Sequence, residues 1–263
     1  MKKAFILFLA ALMIAGLFAG CGGEKEKTID DIKEAGVLKI ATSPDFPPFE
    51  ELKGDGSVEG IEIELLEKIC QELGVELEIN QMNFDSVIPG VQAGKFDMGV
   101  SGISITEKRQ KSVLFTDPYC LAAQAIVVVE GSDITSKEDL DGKTIAVQSG
   151  TTAETFCTEE GYTVNSYAAN SDAQQALLIG KVDAWVIDDL TAADMVAVNN
   201  EEGGTKLAIL DEAMTTEPYA FAMAFGSEKI IEEINTILNG LISDGTVEAL
   251  FEKYNAPYTS PNE

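Results

Sequence analysis

Three short stretches carry groups that could hold a small charged molecule. Arg109 closes the stretch Ser101-Gly102-Ile103-Ser104-Ile105-Thr106-Glu107-Lys108-Arg109, in a helix start led by Thr106. A guanidinium is planar and grips a carboxylate through two parallel hydrogen bonds, which a lysine cannot do. Taken alone, Arg109 reads first as a surface arginine. Gly150-Thr151-Thr152-Ala153-Glu154 has the form of a helix N-terminus: a tight glycine turn, a hydroxyl cap and an acid in the first turn. Free N–H groups at such an end favour an anion, although an ordinary cap has the same pattern. Asp188 and Asp189 follow the apolar run Ala184 to Ile187. A strand alternates its faces, so only one of these two carboxylates can point into a site.

These groups need elements to position them. Val37 to Ala41 reads as a strand. Ile61, Leu65, Ile69 and Leu73 recur every four residues, with Leu66 and Cys70 beside them, so Ile61 to Leu73 has one apolar helix face. Gly74 stops that helix. Val75, Leu77 and Ile79 alternate with Glu76, Glu78 and Asn80, as in a half-buried strand. This alternation of strand and helix implies an α/β fold with largely parallel sheets. Gly94-Lys95-Phe96-Asp97 before Met98 to Val100 is echoed by Gly180-Lys181-Val182-Asp183 before Ala184 to Ile187. Both follow helix-like stretches, Val87 to Ala93 and Ala173 to Ile179. Leu38-Lys39-Ile40-Ala41 is echoed by Thr144-Ile145-Ala146-Val147. Together the echoes suggest two α/β lobes on similar plans. Ligands of such sheets sit beyond the carboxyl ends of the strands, where Ser101-Gly102 and Asp188-Asp189 fall. Two facing lobes would close on one ligand.

The bulk numbers narrow the class. The 263 residues are enough for two lobes with separate cores, and an apolar content of 45% argues against disorder. The formal net charge is −27. Such a surface repels phosphate backbones and disfavours nucleic acid; otherwise it reads as solubility. The chain has no histidine, and its cysteine spacing is unlike a zinc site. No metal, cofactor or catalytic residue is expected.

The ordered series Phe84-Asp85-Ser86-Val87-Ile88-Pro89, Gly94-Lys95-Phe96-Asp97, Ser101 to Arg109 and Phe115-Thr116-Asp117-Pro118-Tyr119 closely resembles the polar amino-acid-binding proteins of bacterial ABC importers, solute-binding family 3. Phe46-Pro47-Pro48-Phe49-Glu50, Gly150-Thr151-Thr152, Glu217-Pro218-Tyr219 and Asp244-Gly245 extend the resemblance from about residue 30 to 254. It implies a two-lobed, type II periplasmic-binding-protein-like fold, each lobe a mostly parallel sheet flanked by helices, joined by a two-strand hinge. Lobe I would comprise 29–120 and 220–263, and lobe II 121–219, with crossings near Cys120-Leu121-Ala122 and Tyr219-Ala220-Phe221. Arg109 and the backbone amide of Thr152 would hold the ligand carboxylate. Asp188, the Gly102 carbonyl and the Ser104 hydroxyl would hold its ammonium, with Ser101 in the same binding stretch. Asp188 rather than Asp189 holds the family position. Phe46 and Phe84 match aromatics that sandwich the ligand side chain, and Gln148 could hydrogen-bond a polar tip. Ser43 stands where members with basic or amide ligands carry Asp, which weakens a lysine or arginine assignment. Glu62 stands where the family usually has Asp, a change expected to affect structural hydrogen bonds. Trp185 is read as packing.

The N-terminus reads as a targeting segment. Lys2 and Lys3 precede the apolar stretch Ala4 to Ala19, which is short for a spanning helix. Leu17-Phe18-Ala19-Gly20-Cys21 resembles a bacterial lipobox, with Phe18 where an aliphatic residue is usual. A signal peptide at 1–20 and a lipid-anchored tether at 21–28 are expected, acylated at Cys21 and fixed to the outer side of the cell membrane. Cys70 reads as a helix-face core residue; a Cys120–Cys157 bridge stays open. Partners are a free amino acid and an importer's permease and ATPase, since the chain itself has nothing like a P-loop; a monomer is expected. The rival readings are a ligand-presenting sensor subunit and a dehydratase, the latter lacking any general base beyond carboxylates.

Overall fold

A computed structural model describes residues 27–211 and 214–261. The expected signal peptide and Cys21, the expected acylation site, lie outside the described residues. At the end of the expected tether, Thr28 already belongs to the folded body. It caps α1 (Ile29–Ala35) in a reciprocal capping box with Asp31.

Most of the first lobe follows. β1 (Val37–Thr42) leads through three short antiparallel strands, β2 (Asp45–Phe46), β3 (Glu50–Leu52) and β4 (Val58–Glu59), into α2 (Ile61–Leu73). The apolar face expected of α2 is buried, Cys70 included, and Gly74 ends the helix in the left-handed conformation at φ 74°. β5 (Glu76–Gln81), α3 (Phe84–Gln92), β6 (Met98–Gly99), α4 (Glu107–Gln110) and β7 (Leu114–Phe115) come next. β8 (Cys120–Ala122) then crosses to the second lobe, which holds β9 (Gln124–Val129), β10 (Thr144–Gln148), α5 (Thr152–Glu159), β11 (Thr163–Tyr167), α6 (Asn170–Leu178), β12 (Ala184–Asp188), α7 (Asp189–Glu202) and β13 (Leu207–Ile209). β14 (Glu217–Tyr219) crosses back, and β15 (Ala222–Met223), α8 (Glu228–Ser243) and α9 (Thr246–Lys253) complete the first lobe.

The two five-stranded sheets have the orders β5-β1-β6-β15-β7 and β11-β10-β12-β9-β13. In each, the strand that follows an interlobe crossing, β15 or β9, is inserted antiparallel among neighbours that share one direction. The sheets are therefore mostly parallel with one reversed strand apiece. The crossings pair with each other: Cys120 faces Tyr219 and Ala122 faces Glu217 across an antiparallel ribbon. The second crossing strand thus spans Glu217–Tyr219, two residues earlier than the sequence suggested; Ala220 and Phe221 already lead into β15.

The sequence echo has a structural counterpart. Asp97 accepts from the Lys39 N–H at 2.9 Å and its own N–H donates to the Lys39 carbonyl at 2.8 Å. Asp183 does the same with Thr144, at 2.7 and 2.8 Å. Lys39 is thus equivalent to Thr144, so the second echo is one residue out of step: Lys39 to Thr42 matches Thr144 to Val147. Trp185 and Val186 bury against different apolar clusters on opposite faces of β12. Cys70, Cys120 and Cys157 are all free and buried, with no bridge between the last two. Among the described residues no helix is long and apolar enough to cross a membrane.

Candidate functional site

The carboxyl ends of β1, β6, β10 and β12 converge on the gap between the lobes. Ser43 follows β1, Ser101 and Gly102 follow β6, Gln148 ends β10 just before α5, and Asp188 ends β12. With Phe46, Phe84, Ser104, Arg109, Thr151 and Thr152 they line one narrow cavity. All nine residues expected at a ligand site are brought together there. Two more that were not so expected, Ser43 and Thr151, join them.

The anion-favouring side is built from both lobes. Thr106 caps α4 by accepting from the Arg109 N–H at 3.1 Å, which fixes where the arginine starts. The guanidinium donates to the Ser104 carbonyl at 2.9 Å and to the Gly150 carbonyl at 3.2 Å. It lies 5.4 Å from the centre of the Phe84 ring. Burial pulls its pKa down, and the charges of Glu217 and Asp188 oppose that. Across the gap, the Thr151 hydroxyl accepts from the Glu154 N–H at 3.1 Å and donates to the Gln148 carbonyl at 2.7 Å. Thr152 is the first residue of α5, where a backbone N–H has no acceptor within the helix.

The cation-favouring side centres on Asp188. It stands at the N-cap position of α7 yet makes no capping bond. Its Oδ1 accepts from Gln124 Nε2 at 2.8 Å, and the same amide donates to the Thr152 hydroxyl at 3.2 Å. Burial pushes the Asp188 carboxyl up to about 7; the Glu217 charge adds to the rise, and the Tyr219 hydroxyl and Gln124 amide oppose it. Asp189 is not among the cavity residues. Its carboxylate accepts from the Ala123 and Leu190 N–H groups at 3.2 and 2.9 Å, tying α7 to the crossing strand. Gly102 has φ 51°, and a Cβ there would come within 2.4 Å of the Phe46 ring, so the turn excludes any larger residue.

At the remaining end, Phe46 stacks on Phe49 with centroids 5.6 Å apart. The Gln148 amide is already engaged: it donates to Asp45 Oδ2 at 3.1 Å and to the Ala168 carbonyl at 3.2 Å, and accepts from Asn170 at 3.0 Å. Asp45 also takes the Ser43 hydroxyl at 2.8 Å and the Asn170 N–H at 2.7 Å. Sequence reading missed Gln124, Asp45, Asn170 and Glu217. The one signal for Gln124 is a polar residue leading the otherwise apolar strand Gln124–Val129.

This cleft between two mixed sheets joined by paired crossings is the type II periplasmic binding protein architecture. The profile of bacterial extracellular solute-binding proteins, family 3, matches residues 38–257, and the chain belongs to that family. It is 32% identical over 262 residues to a probable histidine-binding protein of Campylobacter jejuni, covering 97% of this chain and 99% of the relative. It is 27% identical over 257 residues to the L-cystine-binding protein TcyJ of Escherichia coli K12, covering 96% and 95%. Among solved structures, the arginine-bound form of truncated ArgBP from T. maritima is 40% identical and superposes with a TM-score of 0.76, over 81% of this chain and 99% of that one.

Proposed function

We propose that this chain is an extracytoplasmic lipoprotein, anchored through Cys21, that captures a free polar L-amino acid by closing its two lobes and delivers it to an ABC importer. One observation carries the reading: the cavity sets Arg109 and the first turn of α5 against Asp188, one fixed charge from each lobe facing a common space. An α-amino acid offers the matching pair of charges. Only the closed form makes both sets of contacts, so the ligand shifts the population toward closure by its differential affinity. The permease would read the closed form. The Asp45 carboxylate behind Ser43 and Gln148 suits a polar or cationic side-chain tip, in keeping with the histidine and arginine named for two of the relatives.

The test is a thermal-shift screen of the twenty standard amino acids plus cystine and ornithine, since a ligand of the native state raises the melting temperature by mass action. At least one polar amino acid should stabilise the protein, by about 4 kcal/mol at a thousandfold excess over its dissociation constant. Arg109→Ala should weaken that ligand by roughly 2–5 kcal/mol with unfolding still cooperative. Unchanged affinity by calorimetry would remove Arg109 from the carboxylate site.

A further inference from the structure

Behind the Ser101–Gly102 turn lie two carboxylates that no ligand contact uses. Glu50 of β3 and Glu62 in the first turn of α2 are both 0% exposed. The Ser101 hydroxyl donates to Glu50 Oε1 at 2.9 Å, and the Gly102 N–H donates to Glu62 Oε2 at 3.0 Å. The Tyr119 hydroxyl donates to the other oxygen of Glu62. Ser101 Oγ also accepts the Ser43 N–H at 3.1 Å. A hydroxyl has one hydrogen and two lone pairs, so Ser101 has only a lone pair left to offer. The Gly102 carbonyl accepts none of the described hydrogen bonds.

Two ionised carboxylates side by side in a dry interior cannot both persist. Burial, reinforced by the Glu62 charge, pushes the Glu50 carboxyl well above the usual range. Glu50 Oε2 has no donor from any other described group. A proton held there makes Glu50 neutral and gives Oε2 a hydrogen to donate.

We propose that Glu50 and Glu62 are positioning residues that set the polarity of the ammonium subsite. They draw the Ser101 hydroxyl hydrogen and the Gly102 N–H inward, so the hydroxyl oxygen and the Gly102 carbonyl are left as acceptors for the ligand cation. The inference rests on the amino-acid-binding reading. Without Glu50 the Ser101 hydrogen is left with only the long contact to the Ser43 carbonyl at 3.5 Å, and turning toward the cavity it would oppose the ammonium.

The experiment compares Glu50→Gln with Glu50→Met. Glutamine keeps the acceptor for Ser101, and its amide N–H replaces the proton on Glu50; methionine has similar bulk and neither group. The probes are whichever of L-arginine, L-histidine, L-glutamine and L-cystine binds the unaltered protein most tightly, and the same molecule lacking its α-ammonium. Glu50→Gln should bind the amino acid within about twofold of the unaltered protein. Glu50→Met should lose about tenfold or more, as expected for a hydrogen bond to a charged group. For the deamino probe, measured by competition, Glu50→Met should change less than about threefold.

Equal loss of both probes would mean a general structural role and would overturn the proposal, as would undiminished binding by Glu50→Met. Should Glu50→Met fail to fold, Ser101→Ala interrogates the same contact. It should weaken the amino acid by about fivefold or more and spare the deamino probe; parallel losses would again overturn it. If none of the four binds the unaltered protein, the probe is whichever amino acid of the thermal-shift screen does; if none of the screen binds, the binding reading itself fails, an outcome distinct from the others.

Discussion

Asp188 and Asp189 share a chemistry and are separated by the end of β12. The strand's last side chain opens onto the cavity, while the next belongs to α7 and bonds the backbone of the crossing. The carboxyl of Asp188, near 7 without ligand, holds a proton that the unfolded chain releases in the ordinary carboxylate range. Its contribution to stability is full below that range and is lost as pH climbs through about 7. An ammonium beside it favours the ionised form, so binding expels the proton. Affinity should therefore rise between about pH 5 and about 7, by at most tenfold per unit, and level off above. Calorimetry in buffers of different ionisation enthalpy would count the released proton. Asp188→Asn should abolish the pH dependence and weaken binding more than Asp189→Asn. The reverse order would assign the ammonium to the wrong carboxylate. Alternation of strand faces limited the choice to one of the two, and the family resemblance supplied which. It gave no sign that Gln124, in contact with Asp188 and Thr152, would be the buried partner, because that contact joins β9 to β12 and α5.

Among elements, the N-terminus of α5 depends on a local exchange that was visible in Gly150-Thr151-Thr152-Ala153-Glu154. Glu154 Oε2 accepts the Gly150 N–H at 2.7 Å while Thr151 caps the first turn. Thr151→Ala should lower stability by about 1 kcal/mol and also weaken the ligand, as its carboxylate would meet a less ordered helix end. Denaturant titration with and without ligand separates the two effects. Similar reasoning explains which elements could be read. α2 was legible at both ends because its four-residue periodicity stops at a glycine. The short strands β2, β3, β4, β7 and β14 were not, since two or three residues carry no alternation. The reversed strands β9 and β15 look in sequence like any other, and their direction follows from the crossings before them.

At the scale of the whole molecule, the lobes are joined across the gap by contacts that no local pattern announces. Asp45 of the first lobe meets Gln148 and Asn170 of the second, over sequence separations of 103 and 125. A substituent at Gly150 would come within 3.1 Å of Asp85 across the same gap. If the lobes close on the ligand as proposed, these bonds favour the closed form before any ligand contributes, and Asp45→Ala should shift the unliganded population toward open. Small-angle scattering would show a larger radius of gyration without ligand and a nearly unchanged one with it. The apparent affinity should fall by about the fraction of closed population lost. A radius insensitive to the substitution would show that Asp45 does not hold the lobes together.

The strand order also dictates a schedule. β15 sits between β6 and β7, so the first sheet lacks an inner member until residue 223 exists. The second sheet needs only what lies between Gln124 and Ile209. On a chain emerging from its amino end, the body begun first is finished last. Meanwhile β7 has no neighbour to pair with, which delays compaction of the leading half until most of the chain has emerged.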